Sequence, residues 1–234
     1  MKLKKYFPAN IYKFLVQIYN SFFNSFRNNS YSQEGEDLIL NKLFDNKTTG
    51  FYVDIGAHHP KRFSNTFIFY KKGWQGINIE PNPEIIPLFK KLRPRDINLQ
   101  VGISDTEKTL TYYMFSEPAL NTFSKYREEI LISNHNSQLI NQVDVQSTTL
   151  KKILTEYLKP KRKIDFMTID VEGFDYQVLN SNDWNKFRPS IVLVEDSSFD
   201  CQVPNLSKIY NFMLNVDYSL ISKTYKTLFF KDVR

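Results

Sequence analysis

The sequence predicts an α/β fold built on a mostly parallel sheet, and three observations carry that prediction. From Tyr31 onward, short apolar runs alternate with amphipathic stretches, the rhythm of buried strands separated by helices. Polar residues and glycines collect where those runs end, as at Asp54, Gly56, Glu80, Gly102, Asp170 and Gly173, which is where open α/β sheets form their ligand crevice. The last two apolar runs, YSLIS and YKTLFFK, are joined by a short polar link and read as a hairpin closing the sheet.

The elements follow in order. FYVDI (51–55), GINIE (76–80), INLQV (97–101), KIDFMTID (163–170) and SIVLVE (190–195) are apolar runs of strand length. Apolar residues at helical spacing place helices near 36–44, 64–72, 83–92, 149–158, 174–180 and 205–214. TLTYYMF (109–115) and QVDVQST (142–148) read as a smaller strand pair outside the main sheet, with a variable loop, 116–142, between them. Gly76 is expected at the entry to the second strand and Gly102 at the end of the third.

A chain of 234 residues suits one catalytic domain, here 31–234, preceded by an extension, 1–30. A hydrophobic fraction of 41% with 15% aromatics is that of a soluble globular protein. Cys201 is the single cysteine, so no intrachain disulfide forms and the Cys/His clusters of structural zinc sites are absent, in keeping with a reducing, cytoplasmic setting. The net charge of +6 is uneven: residues 1–33 carry five Lys/Arg and no acid, and the remainder has 26 basic against 25 acidic residues. No basic stripe marks the catalytic region, which argues against a nucleic-acid partner.

In the extension, Ile11, Phe14, Leu15, Ile18, Tyr19, Phe22 and Phe26 recur at helical spacing beside basic residues. The run is too short and too interrupted to span a bilayer, and no signal-peptide cleavage site follows. Two uses fit it: a helix capping the domain, the simpler one, or a peripheral contact with the inner face of an anionic membrane.

Three segments carry the chemistry. FYVDIGAHHP places Asp54, Gly56 and Ala57 at a strand-to-turn junction. One glycine is too few for the G-x-G-x-x-G cradle of a pyrophosphate, but it suffices for S-adenosylmethionine, which has no phosphate. GINIEPNPE ends its strand on Glu80, a carboxylate placed to accept from both hydroxyls of an adenosine ribose. IDFMTIDVEGFDYQVL sets Asp170 and Glu172 about Gly173; if the strand stays extended they share a face, and the alternative is that either simply caps the next helix.

With these segments in order, the sequence resembles the FkbM-type methyltransferase family, through YSQEGEDLIL (31–40), GFYVDIGAHHPKRFSNTFIFYKKGWQGINIEPNP (50–83), VGISD (101–105), IDFMTIDVEGFDYQVLNSNDW (164–184) and PSIVLVE (189–195). The resemblance implies a Rossmann-like class I methyltransferase fold with a seven-stranded sheet. It also implies an S-adenosylmethionine site at Asp54, Gly56, Ala57, Glu80 and the third-strand end at Val101 and Gly102, with Asn65 as the polar residue opening the first helix after the glycine loop. Members of that family are typically O-methyltransferases of sugars or related metabolites, often in polysaccharide biosynthesis. His58-His59-Pro60 departs from the family pattern.

Methyl transfer needs the acceptor oxygen aligned with the methyl and sulfur, and its proton removed. Glu172 is the first choice of base, followed by Asp170, His58 and His59, with His135 and Asp196 behind them. Asp170 is also expected to hold the methionine amino group. A divalent ion at Asp170, Glu172, Glu195 and Asp196 is conceivable but not favoured. The acceptor is expected to be a small molecule or glycan received by the 116–142 segment, with Glu117, Asn121, Tyr126 and His135 in view. A nicotinamide-dependent oxidoreductase and a non-catalytic binding platform are the rival readings, and oligomeric state is not legible.

Overall fold

The computed structural model describes residues 6–23, 28–45, 47–134 and 137–234. In chain order these form α1 (Ala9–Phe23), α2 (Glu36–Leu43), β1 (Phe51–Ile55), α3 (Phe67–Lys71), β2 (Gln75–Ile79), α4 (Ile86–Leu92), β3 (Ile97–Leu99), β4 (Gly102–Ile103), β5 (Lys108–Phe115), α5 (Lys125–Ser133), β6 (Leu139–Thr148), α6 (Leu150–Tyr157), β7 (Phe166–Ile169), α7 (Asp175–Asn180), β8 (Ile191–Glu195), α8 (Lys208–Asn215), β9 (Tyr218–Lys223) and β10 (Thr227–Asp232).

The main sheet has seven strands in the order β3-β2-β1-β7-β8-β10-β9. Its first five strands run parallel, and β10 and β9 are antiparallel to their neighbours. The strand order reverses between β1 and β7, the switch point at which such sheets open a crevice. β1 is buried along its whole length because both faces of the sheet are covered. Phe51, Val53 and Ile55 enter one core with Ile77, Met167, Val192 and Phe230, while Tyr52 enters the other, with Phe69, Trp74, Phe166 and Leu193.

Several expectations need correction. Gly76 lies inside β2 rather than before it: a Cβ there would sit 2.1 Å from the Tyr52 ring, which crosses that strand. Gly102 does not end the third strand, which stops at Leu99; it opens the short β4, where Phe123 occupies the space a side chain would need. β4 pairs with β6, so the small outer sheet has three strands, not two. The segment expected as loop contains α5, whose first turn is capped by the Ser124 hydroxyl accepting from Arg127 N. The expected helix at 64–72 is shortened to α3; Thr66 is its N-cap residue, but the hydroxyl donates to Asp54 and makes no cap hydrogen bond.

Within the extension Ala9–Phe23 form helix α1, and no residue of that helix is buried, so α1 itself does not cap the domain. Phe26 falls outside the described residues. Among the described residues, no helix is long and apolar enough to cross a membrane.

Candidate active site

The crevice opens at the carboxyl ends of β1, β2 and β7. Gly56 is its narrowest point. Its backbone is left-handed, with φ +77°, and a Cβ would fall 1.8 Å from the carbonyl oxygen of Asp170. Only glycine lets the loop after β1 and the end of β7 come this close. Gly56 and Ala57 both donate backbone N–H groups to the Ile79 carbonyl, at 3.0 and 3.2 Å, which ties the loop to β2 as well.

Asp54 points to the Tyr52 side of the sheet, where a buried polar relay fixes it. Arg93, without solvent exposure, donates from Nη2 to the Thr66 hydroxyl at 2.9 Å, and that hydroxyl donates to Asp54 Oδ2 at 2.7 Å. Arg93 also reaches the Tyr52 hydroxyl at 2.7 Å and Asp96 at 2.9 Å. Burial raises the Asp54 carboxyl to about 6, with the Thr66 hydrogen bond and the Arg93 charge opposing. Asn65 lies just before α3 rather than opening it, and its amide donates to the Thr168 hydroxyl of β7 at 3.0 Å.

Glu80, immediately after β2, turns both carboxylate oxygens inward. Oε2 accepts from His58 N at 2.8 Å and Oε1 from Asn82 N at 2.9 Å, with the Tyr112 hydroxyl 3.3 Å away. Burial pushes its carboxyl up to about 7 against those hydrogen bonds. Val101 and Ile103 line the same wall with Tyr112 and Phe123, whereas Gly102 faces away from the lining, between two residues that reach it.

Across the crevice the backbone does not stay extended after β7. Glu172 and Gly173 are both left-handed, with φ 52° and 95°, yet the side chains still converge: Asp170, Glu172 and Glu195 each offer a carboxylate oxygen, all within 4.8 Å of one another. Neither Asp170 nor Glu172 caps α7. Asp175, the first residue of α7, instead ties down the loop before the helix, accepting from Val171 N at 3.1 Å and Gly173 N at 3.0 Å. Burial, then the neighbouring Glu195, raise Glu172 to about 7, although Arg127 of α5 is paired with it. Asp170 is held well above the usual carboxylate range by burial and by Glu195, and its Oδ1 is buried with no hydrogen-bond partner. An orphan acceptor inside a cluster of acids suits a cation, either a ligand's ammonium group or a divalent metal bound by these three residues.

The remaining expected residues divide clearly. The His58 ring, with φ 50° at its backbone, leans on Phe63 and Arg62 at the crevice mouth; burial, then Arg62, lower it to about 4, so it is neutral at neutral pH. His59 is committed to the loop, its Nδ1 accepting from Lys61 N and Arg62 N. Asp196 turns to the Ser207 and Ser198 hydroxyls and joins neither the acid cluster nor the lining. Glu117 forms a forked pair with Arg62 at 2.8 and 2.9 Å. Asn121 lines the crevice with Pro118, Ala119 and Phe123, while Tyr126 is 75% exposed and outside it. His135 lies outside the described residues.

Sequence reasoning missed Arg93, Thr66, Thr168, Arg127 and Lys226, which stands 3.5 Å from Glu195. It also missed that Gln33, Glu34 and Glu36 line the crevice. For Arg93 the local signal was slight: it stands three residues before Asp96, ahead of the apolar run INL, with Arg95 between them.

A model of the methyltransferase FkbM domain matches residues 54–220, well over half of the chain. The chain belongs to the FkbM methyltransferase family. These are S-adenosylmethionine-dependent enzymes, so in this FkbM methyltransferase the nicotinamide alternative has no support. No curated protein matches the chain. Among solved structures, a TehB-like SAM-dependent methyltransferase from Corynebacterium glutamicum is 9% identical, with 97% of this chain and 100% of that chain covered and a TM-score of 0.41. The cofactor's chemistry suits the residues present: bare backbone at Gly56, a ribose-competent carboxylate at Glu80, and an unpartnered buried carboxyl oxygen at Asp170 for a sulfonium compound with an ammonium group.

Proposed function

We propose that this chain is an O-methyltransferase acting on a hydroxyl of a sugar, a polysaccharide precursor or a related small metabolite. The observation that carries the reading is Glu172, whose carboxyl burial raises to about 7 and which lines the same crevice as Gly56, Ala57 and Glu80. A hydroxyl must lose its proton as it is methylated, whereas an amine can attack through its lone pair, so a base tuned near 7 fits an oxygen acceptor.

Bound S-adenosylmethionine supplies the methyl group on a sulfonium. Gly56 and Ala57 would leave its amino-acid end room against the backbone, Glu80 would accept from its ribose hydroxyls, and Val101 with Ile103 would receive its adenine. Asp54, fixed by Thr66 and Arg93, and Asp170 would face its ammonium group and, once ionised, would supply the opposing charge. Glu172 takes the acceptor proton, and Arg127 holds that carboxylate in place. His58, lowered to about 4, serves through its backbone N–H to Glu80 rather than as a base. The acceptor is received beside Asn121 and Lys226, polar residues of the crevice lining that suit a glycan. A reducing cytoplasmic setting accords with the free Cys201.

Calorimetry with S-adenosylmethionine and NAD, then methyl-donor consumption against a panel of hydroxylated acceptors, tests this. Micromolar binding of the sulfonium compound alone is expected, and in Glu172→Gln a turnover loss of about 10²–10⁴-fold with cofactor affinity kept within a few-fold. Turnover of amines but not hydroxyls, or unchanged turnover in the variant, would refute it.

A further inference from the structure

Helix α1 is an apolar surface that the domain leaves uncovered. At 100° per residue, Ile11, Tyr12, Phe14, Leu15, Val16, Ile18, Tyr19, Phe22 and Phe23 sweep about 200° of its circumference, and Asn10, Lys13, Gln17, Asn20 and Ser21 hold the rest. Phe14 is 60% exposed, Phe22 81% and Phe23 70%, a cost in water that an isolated helix has no reason to carry. The charge around it has one sign: Lys2, Lys4, Lys5, Lys13 and Arg27, with no acid before Glu34.

We propose that α1 docks the protein in the plane of an anionic lipid surface, its aromatic face among the acyl chains and its basic flanks on the headgroups. A broad, aromatic-rich apolar face with cationic flanks is the pattern of an interfacial helix. A second copy of α1 fits less well, because a helix pair uses a narrow seam of every third and fourth residue and would bring like charges together. With 15 residues the helix is too short to span.

The placement of α1 gives the docking a use. Tyr31 N donates to Asp37 at 2.7 Å, and Gln33, Glu34 and Glu36 line the crevice. Ten residues separate Phe23 from Gln33, a reach of at most about 35 Å. A docked helix therefore holds the crevice mouth close to the membrane, where acceptors carried by lipids or polymers at that surface are within range.

Flotation of the full chain with vesicles of phosphatidylcholine alone, and of phosphatidylcholine mixed with phosphatidylglycerol, tests the proposal. Binding to the anionic vesicles is expected to exceed that to neutral ones by about tenfold or more and to weaken with salt. The double variant Phe14→Glu, Phe22→Glu should lose it while keeping its melting temperature and S-adenosylmethionine affinity, which shows the domain intact. Equal binding by the variant, or none by the natural chain, overturns the proposal. So does concentration-dependent dimerisation through α1 without vesicle binding, which would assign the face to a second copy.

Discussion

Replacing Gly56 by alanine tests the geometry of the crevice at its tightest point. The added Cβ would stand 1.8 Å from the Asp170 carbonyl oxygen and 2.8 Å from its carbon, so the strand ends must part by roughly 1.5 Å to regain an ordinary C···O contact of about 3.3 Å. The left-handed backbone alone costs alanine about 1–2 kcal/mol, and forced repacking adds about 1–3 kcal/mol. The total, about 2–5 kcal/mol, corresponds to a fall in melting temperature on the order of 5–20 °C for a chain of this size. Parting β1 from β7 also moves Asp54 and Asp170 away from each other, which should weaken cofactor binding. Thermal unfolding by circular dichroism reads the first effect and S-adenosylmethionine calorimetry the second. A variant that melts within 2 °C of the natural chain, or binds the cofactor equally well, would refute the close approach.

Two further outcomes follow from the buried carboxyls. Burial holds Asp54 near 6 and Glu80 near 7, above an unfolded value of about 4. The free fold therefore binds more protons than the unfolded chain between those values, so this contribution to stability is present at acid pH and fades as pH rises through 6 and 7. A cationic cofactor needs the ionised forms, so its affinity should rise from pH 5.5 to 8 and then level, with protons released on binding at pH 6.5; calorimetry in buffers of different ionisation enthalpy would show a flat profile if the carboxyls play no part. Thr66→Val removes the donor to Asp54 and the acceptor of Arg93 together. It should destabilise the fold by about 1–3 kcal/mol and shift the affinity rise to higher pH, and a melting curve and pH profile both unchanged would dismiss the relay.

The sheet was legible because its strands are apolar runs of the right length, and the residues ending them, Asp54, Glu80 and Asp170, carry the polar groups that line the crevice. What escaped the sequence depends on contacts between distant segments. Gly76 looks like a turn glycine until the Tyr52 ring is seen lying across it. Arg93 becomes the core of a relay only when the sheet brings Tyr52, Thr66 and Asp96 around it. α5 was missed because its weakly amphipathic run, KYREEILIS, buries just Glu128 and Leu131, leaving the Ser124 cap as the chief local signal. Its Arg127 then reaches Glu172 across 45 residues of chain.

The hairpin turn has a part beyond closing the sheet. The Lys226 amide donates to Glu34 at 3.0 Å, and Thr224 donates to Glu36 at 3.2 Å across 188 residues. Glu34, Glu36, Lys226 and Thr227 all belong to the crevice wall. A nascent polypeptide that has already made Asp54, Gly56 and Glu80 therefore lacks part of the crevice wall, and cofactor capture is expected only once β10 is inserted. Ribosome-bound chains stopped before residue 224 should be blind to the cofactor, which makes ligand capture a direct report on the last stage of folding.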